Sequence, residues 1–165
     1  MIRVCLDSTV FADLSDAVRL ETLDDARRRF AEAAIALRQE LATRDVQIVI
    51  PAPAYSEALS SQARQERVAA IATLRAPVVP LDAHSAEIAA DLHLAWRLAH
   101  PGNMNQDEKS VVRIDAFIAG IAVQRSCDLI VTRDVGMAEM ARPCSVVVVD
   151  AVAAIDEIRR RARRT

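Results

Sequence analysis

Five short apolar runs constrain this chain more than anything else in it. Residues 2–6, 46–50, 77–81, 128–132 and 145–149 are built mainly of Val, Ile and Leu, and a helical pattern follows each one. Within the runs the apolar residues are consecutive rather than alternating with polar ones. A strand of that kind is covered on both faces, which is the condition of a parallel sheet held between helices. The expected fold is therefore α/β: a three-layer α/β/α sandwich around a parallel sheet of four to five strands. Pro77 and Pro80 bracket the third run and assign it to an edge, because proline cannot donate to a ladder. At 165 residues and 52% hydrophobic content the chain can bury a sizeable core, and one domain over residues 1–165 is expected. No stretch approaches the roughly 20 apolar residues of a membrane span, and the opening residues lack the pattern of a signal peptide. The expected setting is the cytoplasm, away from membranes.

The helices are read between the strands. Residues 10–14 suggest a helical turn. Leu20, Leu23, Phe30, Ala33, Ala34, Leu37 and Leu41 then suggest one helix from about 15 to 41. Pro51 and Pro53 suit the first turn of the helix that carries Tyr55 and Glu57. A further helix is expected near 64–75, and Asp82 is placed to cap another over 83–99. Residues 100–110 are polar and contain Pro and Gly, so they read as a loop. Ser110 or a neighbour would cap the apolar helix over 111–125. A short helix over 135–141 and a last one capped by Asp150 complete the order.

Strand direction sorts the acids. In a parallel sheet, ligands collect beyond the carboxyl ends of the strands. Asp45 and Asp128 precede their strands and belong to the opposite edge. Asp7 and Asp134 follow theirs, and Glu57 lies early in the helix that leaves the second strand. Topology alone lets these three approach one another.

Asp115 enters by a different route. It shares a helix face with Val111, Ile118 and Ala122. An ionised carboxylate buried there needs a partner, either a cation of the protein or a metal. An ion pair with Arg133, or one beside Arg113, is the structural alternative to a metal or catalytic site. Four acids at one edge would repel each other unless divalent cations intervened, and hard oxygen ligands suit Mg²⁺ or Mn²⁺. Such ions polarise phosphates and acidify bound water. A phosphodiester is the natural substrate. Thr9 and Thr132 add hydroxyls at the same edge, either to orient a carboxylate or water, or to cap helices.

The ordered set of acids resembles a PIN domain and, within that family, the VapC-type toxins of bacterial toxin–antitoxin pairs. The resemblance is carried by Val-Cys-Leu-Asp7-Ser-Thr-Val, by Ile-Pro-Ala-Pro-Ala-Tyr-Ser-Glu57-Ala, by Asp115-Ala-Phe-Ile-Ala-Gly-Ile-Ala and by Leu-Ile-Val-Thr132-Arg-Asp134. Together these span most of the chain. The resemblance implies an Mg²⁺- or Mn²⁺-dependent ribonuclease that acts on RNA. It also implies a homodimer, and inhibition by a cognate antitoxin that covers the acidic groove. Asp7 and Asp115 would hold the principal ion, with Glu57 and Asp134 completing the set of catalytic and metal-binding residues. The long helix expected over 15–44 and the polar loop at 100–110 depart from a compact toxin.

Other readings compete with this one. The family also includes RNA-processing nucleases outside toxin pairs, and a degenerate member would only bind RNA or protein. A phosphatase using Asp7 as nucleophile would need a second Asp two residues on, where Thr9 stands. His84, His93 and His100 are too far apart for a ligand set and are read as surface or loop residues. Trp96 and Met104 are assigned to packing rather than to base stacking, and Glu87 and Asp91 to a solvated helix face. Cys5 and Cys127 lie in or beside apolar runs and read as small buried hydrophobes. The net charge is −2, yet five of the last seven residues are Arg, so the rest of the chain is distinctly acidic. That tail suits a helix C-terminus, with a grip on RNA phosphates as the alternative.

Overall fold

A computed structural model describes residues 1–102 and 106–163. Five strands pair in parallel in the order β3-β2-β1-β4-β5. They are β1 (Ile2–Leu6), β2 (Val46–Pro51), β3 (Val78–Val79), β4 (Leu129–Val131) and β5 (Val147–Val149). The central strands are sealed on both faces: Val4, Cys5, Leu6, Leu129, Ile130 and Val131 have no exposed surface. That is the burial a continuous apolar run anticipates. The third strand does lie at an edge, cut to two residues between its prolines. The chain crosses from β1 to β2 on one side, and β4 pairs with the other side of β1. This reversal of strand order opens a crevice at the carboxyl ends of β1 and β4.

The helices are α1 (Ser8–Asp16), α2 (Asp25–Thr43), α3 (Ala52–Leu59), α4 (Arg64–Thr73), α5 (Ala83–Ala99), α6 (Gln106–Gln124), α7 (Val135–Met140) and α8 (Ala151–Ala162). The single helix expected from 15 to 41 does not form. Helix α1 ends at Asp16, a 3-10 segment covers Ala17–Thr22, and Leu23 is extended. Asp24 then starts a new helix by accepting from the Arg27 amide at 2.9 Å. Side chains hold the corner: Asp16 pairs with Arg19 at 3.0 Å and Arg27 at 2.7 Å, and Arg28 donates to the carbonyl of Leu20. The apolar periodicity runs through the bend because both helices face the same core. A period reports the buried face, and only the capping groups report the break.

Helix α6 also begins earlier than expected, at Gln106, so Ser110 lies inside it rather than ahead of its first turn. Met104, read above as a packing residue, lies outside the described residues, as does Arg164 of the arginine run. Helices α5 and α6 cross very closely at Gly120. A Cβ there would come within 2.5 Å of the Ser85 carbonyl oxygen, so only glycine fits. Asp82 caps α5 as expected, exchanging bonds with Ser85 at 2.9 Å, and the Gln124 amide donates to Asp82 at 2.7 Å. Cys5 and Cys127 are both buried thiols without a disulfide. No helix among the described residues is long and apolar enough to cross a membrane.

The basic end of the chain is spent on the protein itself. Arg159 binds Glu40 of α2 at 3.0 Å, Arg160 binds Glu157 at 2.5 Å, and Arg161 binds Glu157 at 2.6 Å as well as Asp128. The Arg159–Glu40 and Arg161–Asp128 pairs fasten α8 across the back of the sheet, while the bonds from Arg160 and Arg161 to Glu157 stay within the helix. Asp45 and Asp128 sit at the amino edge as strand direction requires. The Asp45 carbonyl takes the Ile2 amide, and Asp128 takes that of Arg3.

Candidate active site

Each acid reaches the crevice for a local reason. Asp7 ends β1 and caps α1. Its Oδ2 accepts from the Thr132 hydroxyl at 2.7 Å, the Thr9 hydroxyl at 3.0 Å and the Thr9 amide at 3.5 Å. Three donors on one oxygen fix the carboxylate, and among the described residues none donates to Oδ1. The two threonines are thus both orienting groups for Asp7. Thr132 also receives the Asp134 amide at 2.9 Å, and Thr9 receives the Arg133 amide at 3.2 Å. One hydroxyl pair therefore pins the ends of β1 and β4 together.

Asp134 caps α7 by accepting from the Gly136 amide at 2.7 Å. Gly136 lies between two acids. A Cβ built there would stand 3.1 Å from Asp134 Oδ1 and 3.7 Å from Asp115 Oδ2. The absence of a side chain keeps open the space that both carboxylates border. Asp115 projects from the middle of α6 and is buried, while Glu57 on α3 is half-buried.

The electrostatics show that the four acids feel each other. Burial pushes the Asp115 carboxyl up to about 7, and the charges of Asp134, Asp7 and Glu57 push in the same direction. Glu57 is also raised, first by burial and then by Asp7 and Asp134, with the Ser8 hydroxyl and the Arg67 charge opposing. Asp115 has no hydrogen-bond or ion-pair partner among the described residues. The ion pair with Arg133, left open above, does not form: Arg133 grips Asp13 with two bonds of 2.8 and 2.9 Å and lies over the Phe30 ring at 4.4 Å.

The sequence brings Asp7, Glu57, Asp115 and Asp134 to one rim, and the structure places all four there. They are not drawn into a finished cage: among the described residues, no group of three or more Asp, Glu, His or Cys side chains stands ready to hold an ion. Their chemistry still suits a hard divalent cation. Every donor is an oxygen, and among the described residues Asp7 Oδ1 accepts no hydrogen bond and Asp115 has no cationic partner.

Three further residues escaped the reading of the sequence. Asp13 is buried in α1 beside Val10, Phe11 and Leu14, and that apolar setting is the same signal that singled out Asp115. Gly136 and Arg67 gave no sequence signal. Among the histidines, His100 was expected away from the acids. It is exposed at the C-terminal end of α5, where it stacks on Trp96 at 4.4 Å and pairs with Glu139 of α7 at 3.0 Å.

The model of the PIN domain family matches residues 4–143 of the chain. No curated protein sequence matches it. Solved structures do resemble it. FitAcB from Neisseria gonorrhoeae is 18% identical with a TM-score of 0.57, covering 90% of this chain and 97% of its own. VapBC-1 from nontypeable Haemophilus influenzae is 15% identical with a TM-score of 0.57, covering 91% and 98%. VapC20 of Mycobacterium tuberculosis, a sarcin-ricin loop cleaving toxin, is 14% identical with a TM-score of 0.50, covering 87% and 98%. At these identities the likeness establishes the shared fold.

Proposed function

The chain belongs to the PIN domain family, and we propose that it is a divalent-metal-dependent endoribonuclease in which Asp7, Glu57, Asp115 and Asp134 hold the cation. One observation carries this reading. Asp115, buried on an apolar helix with no hydrogen-bond or ion-pair partner among the described residues, is pushed up to about 7 by burial first and then by the charges of Asp134, Asp7 and Glu57, which reach it from separate elements. An uncompensated cluster of this kind costs stability, and a fold does not keep it for packing.

Mg²⁺ or Mn²⁺, when bound there, supplies charge for the phosphate and acidifies water. The chain's own residues prepare the site. Thr9 and Thr132 fix Asp7 through one oxygen and leave the other to a cation. The Gly136 amide anchors Asp134, and the bare glycine leaves room beside Asp115. The Ser8 hydroxyl and Arg67 hold Glu57 toward its ionised form against burial. No histidine or lysine is among the groups that shift the Asp115 and Glu57 carboxyls. The phosphatase alternative has no second acid where it needs one, because Thr9 is occupied as a donor to Asp7.

The toxin role rests on likeness to the VapBC-1, FitAcB and VapC20 structures, the last a sarcin-ricin loop cleaving toxin. We infer a cognate antitoxin partner, a homodimer and a cytoplasmic setting on the same basis. The deciding experiment incubates pure protein with structured RNA in Mn²⁺ and then in EDTA. Cleavage in Mn²⁺ that stops with EDTA and with Asp7→Asn supports the nuclease. Cleavage that survives Asp7→Asn removes the site assignment, and RNA retained uncut in every metal points to a binding module. Growth arrest on induction, relieved by an adjacent antitoxin frame, tests the toxin role.

A further inference from the structure

RNA brings negative charge to a rim already crowded with carboxylates, so some cation of the protein has to receive it. Arg133 is committed to Asp13 and Phe30. Arg27 and Arg19 are committed to Asp16. Arg67 is different. It lies on α4, which packs against α3, the helix of Glu57, and against α1, the helix that Asp7 caps. Its Nε is buried and has no hydrogen-bond partner, and no ion pair holds its guanidinium. A buried donor without a partner is rare in a finished fold and calls for a ligand or an ordered solvent molecule.

Resting on the nuclease reading, we propose that Arg67 is a substrate-contacting residue that binds a backbone phosphate of the RNA next to the bond being cut. Its charge already reaches Glu57 and favours that acid's ionised form. It stops short of an ion pair, which leaves the planar fork free. A guanidinium suits this task because it offers two parallel donors to a phosphate. It would also offset the repulsion between the acidic rim and the incoming strand.

The test measures binding and cleavage of a labelled, mixed-sequence single-stranded RNA by wild type, Arg67→Gln and Arg67→Lys, with thermal melting as the check on folding. Binding is read in the Asp115→Asn background over a range of salt concentrations. Arg67→Gln should raise KM by roughly ten- to a hundredfold, the loss expected for a charged hydrogen bond, with a smaller change in kcat. It should also flatten the slope of log affinity against log salt by about 0.7, the effect of one lost single-strand phosphate contact. Arg67→Lys should recover the slope but only part of the KM, since it keeps the charge and loses the fork. A purely structural Arg67 would lower the melting temperature and leave the salt slope alone, and that result overturns the proposal. Wild type that cleaves RNA while Arg67→Gln matches it in KM and slope also overturns it, with the nuclease reading intact. Wild type that neither cleaves nor binds RNA overturns both.

Discussion

The two ends of the sheet treat the same kind of residue in opposite ways. At the amino edge and along α8, every buried or half-buried acid has arginine beside it. Glu40 sits between Arg44 and Arg159, Asp128 meets Arg161, and Glu157 meets Arg160 and Arg161. Bonds from Arg160 and Arg161 hold the Glu157 carboxyl down at about 2. At the carboxyl edge the acids meet mostly each other, and Asp115 is pushed up to about 7. The first arrangement is ordinary structural pairing. The second leaves Asp115 without a cationic partner among the described residues, and the proposed cation site rests on that difference.

The largest break in this contrast comes from removing one acid at each end. Asp115→Asn should lower RNA cleavage in Mn²⁺ by about a thousandfold, since several kcal/mol of metal-borne charge stabilisation convert at about 1.36 kcal/mol per factor of ten. Asp128→Asn should leave the cleavage rate within about twofold, because surface ion pairs contribute little beyond local stability. Equal losses from the two variants would dissolve the distinction between the edges.

The same Asp115→Asn variant sharpens the contrast in the absence of metal. The folded protein holds the Asp115 proton more tightly than the unfolded chain does, so stability from this group is full below about pH 4 and is lost as the pH rises toward 7. Asparagine removes that loss. The metal-free variant should therefore be more stable than wild type at pH 7.5 by roughly 1–3 kcal/mol, with the gain fading toward pH 4. Urea unfolding across that range checks it, and a gain that is constant with pH would sink the assignment.

At the amino edge the sign reverses. Glu40→Gln should cost about 1–2 kcal/mol in urea unfolding, because two arginines lose their shared carboxylate. Cleavage per folded molecule should not change. The smallest effect is expected at Gly136. Alanine there suits a helix and should add up to about 0.5–1 kcal/mol of stability. Its methyl group would press on Asp134 and approach Asp115, so cleavage should fall severalfold and need more Mn²⁺. A stabler protein with unchanged metal demand would show that the space beside Gly136 is not used.

Much of this was legible in the chain before it was folded. Continuous Val and Ile runs specify a sheet buried on both faces, and strand direction separates Asp7 and Asp134 from Asp45 and Asp128. Asp115 betrays itself by its apolar neighbours, and Asp13 would have done so by the same test. The corner at residues 17–24 was not legible, because periodicity follows the buried face through a bend. The start of α6 was missed because its first turn is polar, like a loop.

Sequence by itself determined the layers and the edge to which Asp7 and Asp134 go, because burial pattern and strand polarity are local properties of the chain. Only the tertiary structure decided which acids were left without a cation. Arg133 turning to Asp13 rather than Asp115, Thr132 reaching Asp7, and Arg159 reaching Glu40 are all contacts between residues more than a hundred positions apart. Charge balance at a site is a sum over neighbours in space, and no spacing along the sequence encodes that sum.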